Sequence, residues 1–317
     1  MSVRDRLEAE LGAGGRVTVA HSLASLTTFK VGGPADWFAE PRSHAEMLAV
    51  LRVATREGVS VTILGGGSNV LVSDRGVRGL VLRPRGGDVQ RLDNTHVRAD
   101  AAVAINGLVR WTIVHGAAGL EAWAGTPGTV GGAVHGNAHF GGRLIGDLVA
   151  GVTLATRDGV ASDIDGDRMA FGYDRSRLQE RGEVLLSATF RVSPGDPARL
   201  REAARQSLAF RKRTQPLDTP SAGCVFQNPV PGQDAVPDGL PWSAGALVDR
   251  AGLKGARVGG ARVSPAHGNF IVNDGHATAD DIRRLVEHCR TVVRERFGVV
   301  LREEIVYLGE FDVHSGD

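Results

Sequence analysis

Two glycine-rich segments constrain this chain more than any other feature. One is Leu64-Gly65-Gly66-Gly67-Ser68-Asn69-Val70; the other is Gly125-Thr126-Pro127-Gly128-Thr129-Val130-Gly131-Gly132, running on to Gly136-Asn137-Ala138. Without a Cβ, glycine backbone can turn tightly and come close to a ligand. Successive free N–H groups beside small hydroxyl and amide side chains form a concave donor surface that suits a phosphate. Two such loops point to a ligand carrying a diphosphate, a dinucleotide cofactor first of all, with simple tight turns as the alternative. Neither standard nucleotide motif is present. After Gly65 and Gly67 the third fingerprint position is Val70, and no Gly-Lys-Ser/Thr follows.

A chain of 317 residues is longer than one core usually organises, so two or three domains are expected. A formal net charge of +1 gives no electrostatic case for a nucleic-acid partner. Cys224 and Cys289 are the only cysteines, too few to staple the fold and without zinc-ligand spacing, so no metal site is expected and a reducing cytoplasm is the natural compartment. No signal-like apolar segment opens the chain and no apolar run is long enough to span a bilayer, so no membrane association is expected. Nothing in the sequence points to an obligate protein partner.

Helix and strand signals interleave. Ser43-His-Ala-Glu46 reads as a capping box opening a helix that ends at Gly58. Strands are expected at 59–64, running into the first glycine loop, and at 77–82, 97–103, 151–156 and 184–190, with a helix over 105–115. Pro197 suits the first turn of a helix reaching Lys212. A helix around 243–251 and a strand over 269–273 follow. A long helix then opens at Thr278, with Asp280 and Asp281 in its first turn and Ile282, Leu285, Val286, Cys289 and Val293 as its apolar stripe. A last strand is expected over 299–308. This mixture indicates an α+β or α/β enzyme.

Three further segments carry chemistry. Cys224, in Ser221-Ala-Gly-Cys-Val-Phe-Gln-Asn-Pro229, follows small residues and precedes an expected short strand, so its thiol either enters a cleft or packs as a small hydrophobe. Strand alternation puts Glu303 and Glu304 on opposite faces, so one carboxylate can enter a site while the other is solvated. Phe171-Gly-Tyr-Asp-Arg-Ser-Arg177 sets an aromatic hydroxyl beside two guanidiniums suited to carboxylate or phosphate, or else forms a solvated polar loop.

Taken in order, these segments resemble the UDP-N-acetylenolpyruvoylglucosamine reductase (MurB) family. The likeness rests on Thr28-Phe-Lys-Val-Gly-Gly-Pro-Ala35, Gly65-Gly-Gly-Ser-Asn-Val-Leu71, Thr126-Pro-Gly-Thr-Val-Gly-Gly-Ala133 and Phe171-Gly-Tyr173. It continues through Ala222-Gly-Cys-Val-Phe-Gln-Asn-Pro229, Gly245-Ala-Leu-Val-Asp-Arg-Ala-Gly-Leu253, His267-Gly-Asn-Phe-Ile-Val-Asn273 and Glu304-Ile305. The resemblance implies an α+β, PCMH/VAO-type FAD-binding fold of two lobes plus a C-terminal α/β substrate-binding domain. The expected division is residues 1–205 for the FAD-binding region, to which a last strand at about 299–317 returns, and 206–298 for the substrate domain.

The implied reaction runs in two halves. NADPH reduces FAD; the reduced flavin then passes hydride to C3 of UDP-N-acetylglucosamine enolpyruvate, and C2 is protonated to give UDP-N-acetylmuramate, a step of peptidoglycan precursor synthesis. By resemblance, Cys224 takes the proton-donor position, where most members have serine. Glu304 and an arginine polarise the substrate carboxylate. Gly65, Gly66, Gly67, Ser68, Asn69, Thr126, Pro127, Gly128, Gly131, Gly132 and Asn137 fall to the cofactor, and Tyr173, Asn228 and His267 to the UDP-sugar substrate. Two segments depart from the family pattern. The family usually writes Tyr-Arg-x-Ser; here Tyr173-Asp174-Arg175-Ser176 shifts the arginine by one place, making Arg175 the expected catalytic arginine with Arg177 as its substitute. His139-Phe140 also replaces the Gly and Tyr or His more common after Asn137-Ala138. With only Tyr173 and Tyr307 and no insertion over 190–212, the chain resembles the class lacking a tyrosine clamp loop. The rivals are an oxygen-using sugar or alcohol oxidase on the same fold, disfavoured because residues 65–72 hold no histidine for covalent flavin, and a non-catalytic UDP-sugar sensor.

Overall fold

A computed structural model of the chain describes residues 2–12 and 16–311; residues 312–317 of the expected last strand lie outside the described residues. The chain forms two compact units. The first holds the residues up to Ala20 with Asp36–Gly66 and Gly79–Phe210, the second His21–Ala35, Gly67–Arg78 and the residues from Arg211 onward.

The first unit is built on two sheets. One has four strands in the order Val17–Ser22, Pro34–Ala39, Val77–Leu82, Val61–Ile63. Helices α1 (Val3–Leu11) and α2 (His44–Arg56) supply Leu7, Leu11, Met47, Val50 and Leu51 to a core shared with Leu80 and Leu82. The other is a five-stranded antiparallel sheet in the order Ala161–Asp165, Val149–Ala155, Val184–Arg191, His96–Asp100, Val89–Arg91. Its core joins Val97, Phe190 and Leu154 to Leu108 and Val109 of α3 (Ile105–Val114), Val130 and Val134 of α4 (Val130–His135), Leu178 of α5 (Arg177–Arg181), and Leu200 and Ala204 of α6 (Pro197–Thr214).

In the second unit an antiparallel sheet of Arg257–Val258, Ala261–Val263 and Ile271–Asn273 packs with α7 (Ala244–Arg250) and α8 (Ala279–Phe297). The stripe read from the sequence, Ile282, Leu285, Val286, Cys289 and Val293, is buried. Thr278 caps α8 in a reciprocal box with Asp281, and Gly298 ends it at a φ of 69°. Both carboxylate oxygens of Asp74 add acceptors for the N–H groups of Ala279 and Asp280.

Three local expectations are corrected. At α2 the capping box is one-sided. Ser43 Oγ accepts from the Glu46 N–H, but the Glu46 carboxylate takes the Arg42 N–H and the Arg16 guanidinium instead of turning back to Ser43. The last strand is shorter than its pattern: only Val306–Leu308 forms a ladder, parallel to Val70–Val72. Cys224 precedes no regular strand; residue 226 makes a single antiparallel bridge to Glu303.

Candidate active site

In the first unit the glycine loops meet backbone to backbone. A Cβ on Gly66 would lie 2.5 Å from Gly128 Cα, and one on Gly65 would lie 2.7 Å from Thr129 Oγ1. Only glycine allows that approach. The Gly128 carbonyl takes the Ile105 N–H and the Val103 carbonyl takes the Val130 N–H, pinning the second loop to the start of α3. Among the described residues, the N–H groups of Gly65, Gly66, Gly128 and Thr129 donate to no protein acceptor. Four unspent donors on abutting loops suit a diphosphate, so the residues present fit FAD.

Two residues assigned to the cofactor also bond within the fold. Gly131 spends its N–H on the Ala101 carbonyl at 2.8 Å, and a Cβ there would crowd that same oxygen at 3.2 Å. Asn137 is fully buried: its side-chain amide donates to the Gly172 carbonyl at 2.8 Å and accepts the Gly146 N–H at 2.8 Å. Gly132, whose N–H goes to Thr129 Oγ1, is exposed, and Thr126 and Pro127 lead into the cradle.

The Tyr173 segment is a tight turn. Gly172 and Arg175 exchange backbone hydrogen bonds, and Asp174 at its centre has a φ of 52°, in the left-handed region that side chains rarely enter. Arg175, expected to reach a substrate, is exposed and folds along Gly172. Arg177, its expected substitute, is buried and grips both oxygens of Glu183 at 2.8 and 2.7 Å, which corrects that expectation. The inward member of the turn is Asp174, whose Oδ1 lies 3.1 Å from Nδ1 of His139; the Tyr173 and His139 rings are 5.0 Å apart.

In the second unit the first loop continues through Gly67, Ser68 and Asn69. Gly67 has a φ of 63°, and a Cβ there would strike the Leu26 carbonyl at 2.1 Å, while its own carbonyl accepts the Thr28 N–H. This contact explains the Thr27–Lys30 stretch beside the loop. Asn69 Nδ2 donates to the Glu304 carbonyl at 3.1 Å, and the Val306 N–H donates to the Asn69 carbonyl at 3.0 Å. The Glu304 N–H in turn donates to the Val225 carbonyl at 2.8 Å. Residue 225 is held by Asn269, whose carbonyl accepts the Val225 N–H and whose side chain clasps the Phe226 backbone from both sides.

So Cys224 and Glu304, far apart in sequence, sit on facing segments. Glu303 is a different kind of residue, bound to Arg290 at 2.8 Å. Cys224 is half-buried, whereas Cys289 is buried and its thiol is pushed up to about 12 by burial. Sequence reasoning missed Arg211. It lies on the buried face of α6 one turn beyond Ser207, is 6% exposed, and burial pulls it down to about 10 against the attraction of Cys224. Its place on the Leu200–Ala204 stripe is the sequence signal that distinguishes it from the basic residues around it.

His267 accepts the Asn269 N–H at Nδ1, 3.1 Å away, and its ring meets Phe270 edge-on. Burial, then the charge of Lys254, shift its pKa down, favouring a neutral ring with its proton on Nε2. Asn228 Oδ1 accepts the Ala244 N–H at 3.0 Å, tying the substrate-assigned amide to the start of α7. Among the described residues, no helix is long and apolar enough to cross a membrane.

The glycine cradle of the first unit fits a flavin-binding class of enzyme. The FAD binding domain model matches residues 35–165, and the C-terminal domain model of UDP-N-acetylenolpyruvoylglucosamine reductase matches residues 215–308. A UDP-N-acetylenolpyruvoylglucosamine reductase of Synechococcus sp. is 39% identical over 302 residues, covering 94% of this chain and 93% of the relative. UDP-N-acetylenolpyruvoylglucosamine reductase 2 of Symbiobacterium thermophilum is 39% identical, with 96% of each chain covered. The crystal structure of the Thermus caldophilus reductase (MurB) aligns with a TM-score of 0.75 at 32% identity, covering 92% of this chain and 98% of that one. The chain belongs to the UDP-N-acetylenolpyruvoylglucosamine reductase family.

Proposed function

We propose that this chain is a flavoenzyme that reduces UDP-N-acetylglucosamine enolpyruvate to UDP-N-acetylmuramate with NADPH, in the cytoplasm, as a step of peptidoglycan precursor synthesis. The observation that supports the reading is the Glu304 N–H to Val225 carbonyl bond, which ties Glu304 to the residue after Cys224 in a chain of this family. FAD, bound through its diphosphate by Gly65, Gly66, Gly128 and Thr129, supplies the hydride chemistry.

The chain's own residues do the rest. Cys224 holds the proton that goes to C2 as charge builds there; a thiol is a stronger acid than the serine hydroxyl of most relatives and donates more readily. The Arg211 guanidinium, electrostatically coupled to Cys224, stabilises the thiolate left behind. Glu304 polarises the substrate's carboxylate end. Neutral His267 offers Nε2–H to the diphosphate, and Asn228, anchored on α7, meets the sugar nucleotide. Residues 1–205 with the returning strand serve the cofactor, and 206–298 the substrate.

The test is colour. Purified protein should be yellow, bleach with NADPH under anaerobic conditions, and recover on addition of the enolpyruvyl sugar nucleotide. Recovery with oxygen alone would make it an oxidase, and no response to either would make it a sensor.

A further inference from the structure

Cys224 lies where the chain comes to the surface between two fixed points. On one side Ala222 is 3% exposed in the core, and the Pro220 carbonyl accepts the Asn273 N–H at 2.9 Å. On the other, Val225 and Phe226 are buried and held by Asn269 and Glu304. Only Gly223 and Cys224, between them, are half-buried. We propose that Gly223 is a positioning residue: its left-handed backbone aims the Cys224 thiol at the substrate carbon that it protonates. This rests on the reductase reading above, in which Cys224 is the proton donor.

Gly223 has a φ of 81°, a conformation that costs any residue with a Cβ. Space is not the reason for the glycine. A Cβ built there would meet no atom within 4 Å, unlike Gly66 and Gly67, whose Cβ positions are filled by backbone. The requirement is the backbone angle alone, and such an angle persists only where the surroundings fix it. With residues 222 and 225 pinned, an alanine at 223 relaxing toward negative φ swings the peptide between 223 and 224 and cannot carry the buried residues along. The rotation has to be absorbed at Cys224, and it turns the Cα–Cβ bond that carries the thiol.

The direction of that bond matters chemically. A general acid acts only within hydrogen-bond reach of the atom it protonates, and a misplacement of about 1 Å can cost ~10²-fold in rate. The thiol also sits within the electrostatic reach of the buried Arg211 guanidinium, so a turn that moves the sulfur moves it relative to this charge as well. The binding groups of the second unit are anchored elsewhere. Asn228 is tied to the Ala244 N–H at the start of α7 and His267 to the Asn269 N–H, so an altered angle at 223 leaves them in place.

The experiment is a double-mutant cycle on the FAD-loaded protein, read by single-turnover reoxidation of the reduced flavin with the enolpyruvyl nucleotide. Gly223→Ala should slow reoxidation about 10- to 100-fold while the dissociation constant for UDP-N-acetylmuramate stays within about twofold of wild type. Gly223→Asn should recover most of the rate, because asparagine enters the left-handed region at less cost than other residues with a Cβ. In a Cys224→Ala background, Gly223→Ala should slow reoxidation by no more than about twofold, since the group it positions is gone. Gly58→Ala is the control. Gly58, in the first unit after α2, has a φ of 65° with nothing within 4 Å of its Cβ position, so the variant carries the same kind of backbone penalty. It should lower the melting temperature without changing reoxidation.

A Gly223→Ala protein that reoxidises within about twofold of wild type, beside a slow Cys224→Ala, would overturn the positioning role and leave the donor standing. So would an equal slowing by Gly223→Ala with and without the thiol, or an asparagine variant no faster than the alanine one. Wild-type reoxidation in Cys224→Ala would instead sink the donor reading, and this proposal with it.

Discussion

The backbone N–H of Glu304 donates to the carbonyl of Val225 at 2.8 Å, so the residue after Cys224 and the residue bearing the late carboxylate are fixed to one another by main chain alone. Side-chain substitution at either position leaves that bond in place. Chemistry and architecture are therefore separable by mutation here.

Replacing Cys224 by alanine should lower turnover ~10²-fold or more, the usual cost of a lost general acid, while Cys224→Ser stays active. Rapid-mixing measurement of flavin reoxidation by the enolpyruvyl nucleotide checks this. An alanine variant with wild-type reoxidation would falsify the donor role.

Thiol labelling separates the two cysteines. Native protein should react at Cys224 only and expose a second thiol after denaturation, because burial pushes Cys289 up to about 12 and removes its thiolate. Cys289→Ala should cost about 1–2 kcal/mol of stability through lost packing and leave turnover alone. Denaturant titration and steady-state rates together decide it.

Gly66→Ala puts a methyl 2.5 Å from Gly128 Cα, where neither backbone can yield without moving a donor of the cradle. The purified variant should carry little flavin, read as the ratio of absorbance at the flavin and protein bands. Full flavin content would show that the abutting loops are not the cofactor cradle.

Arg177→Ala should be a folding lesion. It strands the carboxylate of Glu183, and breaking such a largely buried pair costs about 3–5 kcal/mol. Melting temperature should drop, while flavin reoxidation per folded molecule stays near wild type. A kinetic loss without a thermal one would return Arg177 to the catalytic role.

Acid should weaken the fold through two histidines. Burial lowers the pKa of His135, and burial followed by the Lys254 charge lowers that of His267. Below the ordinary histidine value of ~6.5 the unfolded chain binds more protons than the native one, so stability is full above that pH and declines as pH falls toward the lowered native values. His135→Gln should flatten the fall in melting temperature between pH 7 and 5. An unchanged slope would remove His135 from the account.

Much of the architecture was legible locally. The stripe of α8 and its start at Thr278 follow from period and capping chemistry, which act within a few residues. The one-sided cap at Ser43 was not legible, because Arg16, from a remote segment, competes for the Glu46 carboxylate. The short final strand was not legible either: residues 301–305 alternate like a strand, yet only Val306–Leu308 finds a ladder partner, in Val70–Val72. At the site, the glycine loops, Cys224 and Glu304 stood out as residue types. Asn137 and Gly131 looked the same in sequence, and their groups turned out to be spent on Gly172, Gly146 and Ala101.

By itself, the order of residues determined the family and the cofactor class, since these depend on which chemical groups exist and in what succession. Tertiary structure alone decided which arginine is consumed by Glu183, which cysteine keeps an accessible thiol, and that His139 finds Asp174. Those outcomes depend on which distant groups compete for the same hydrogen bonds, and that competition is settled only when the chain has packed.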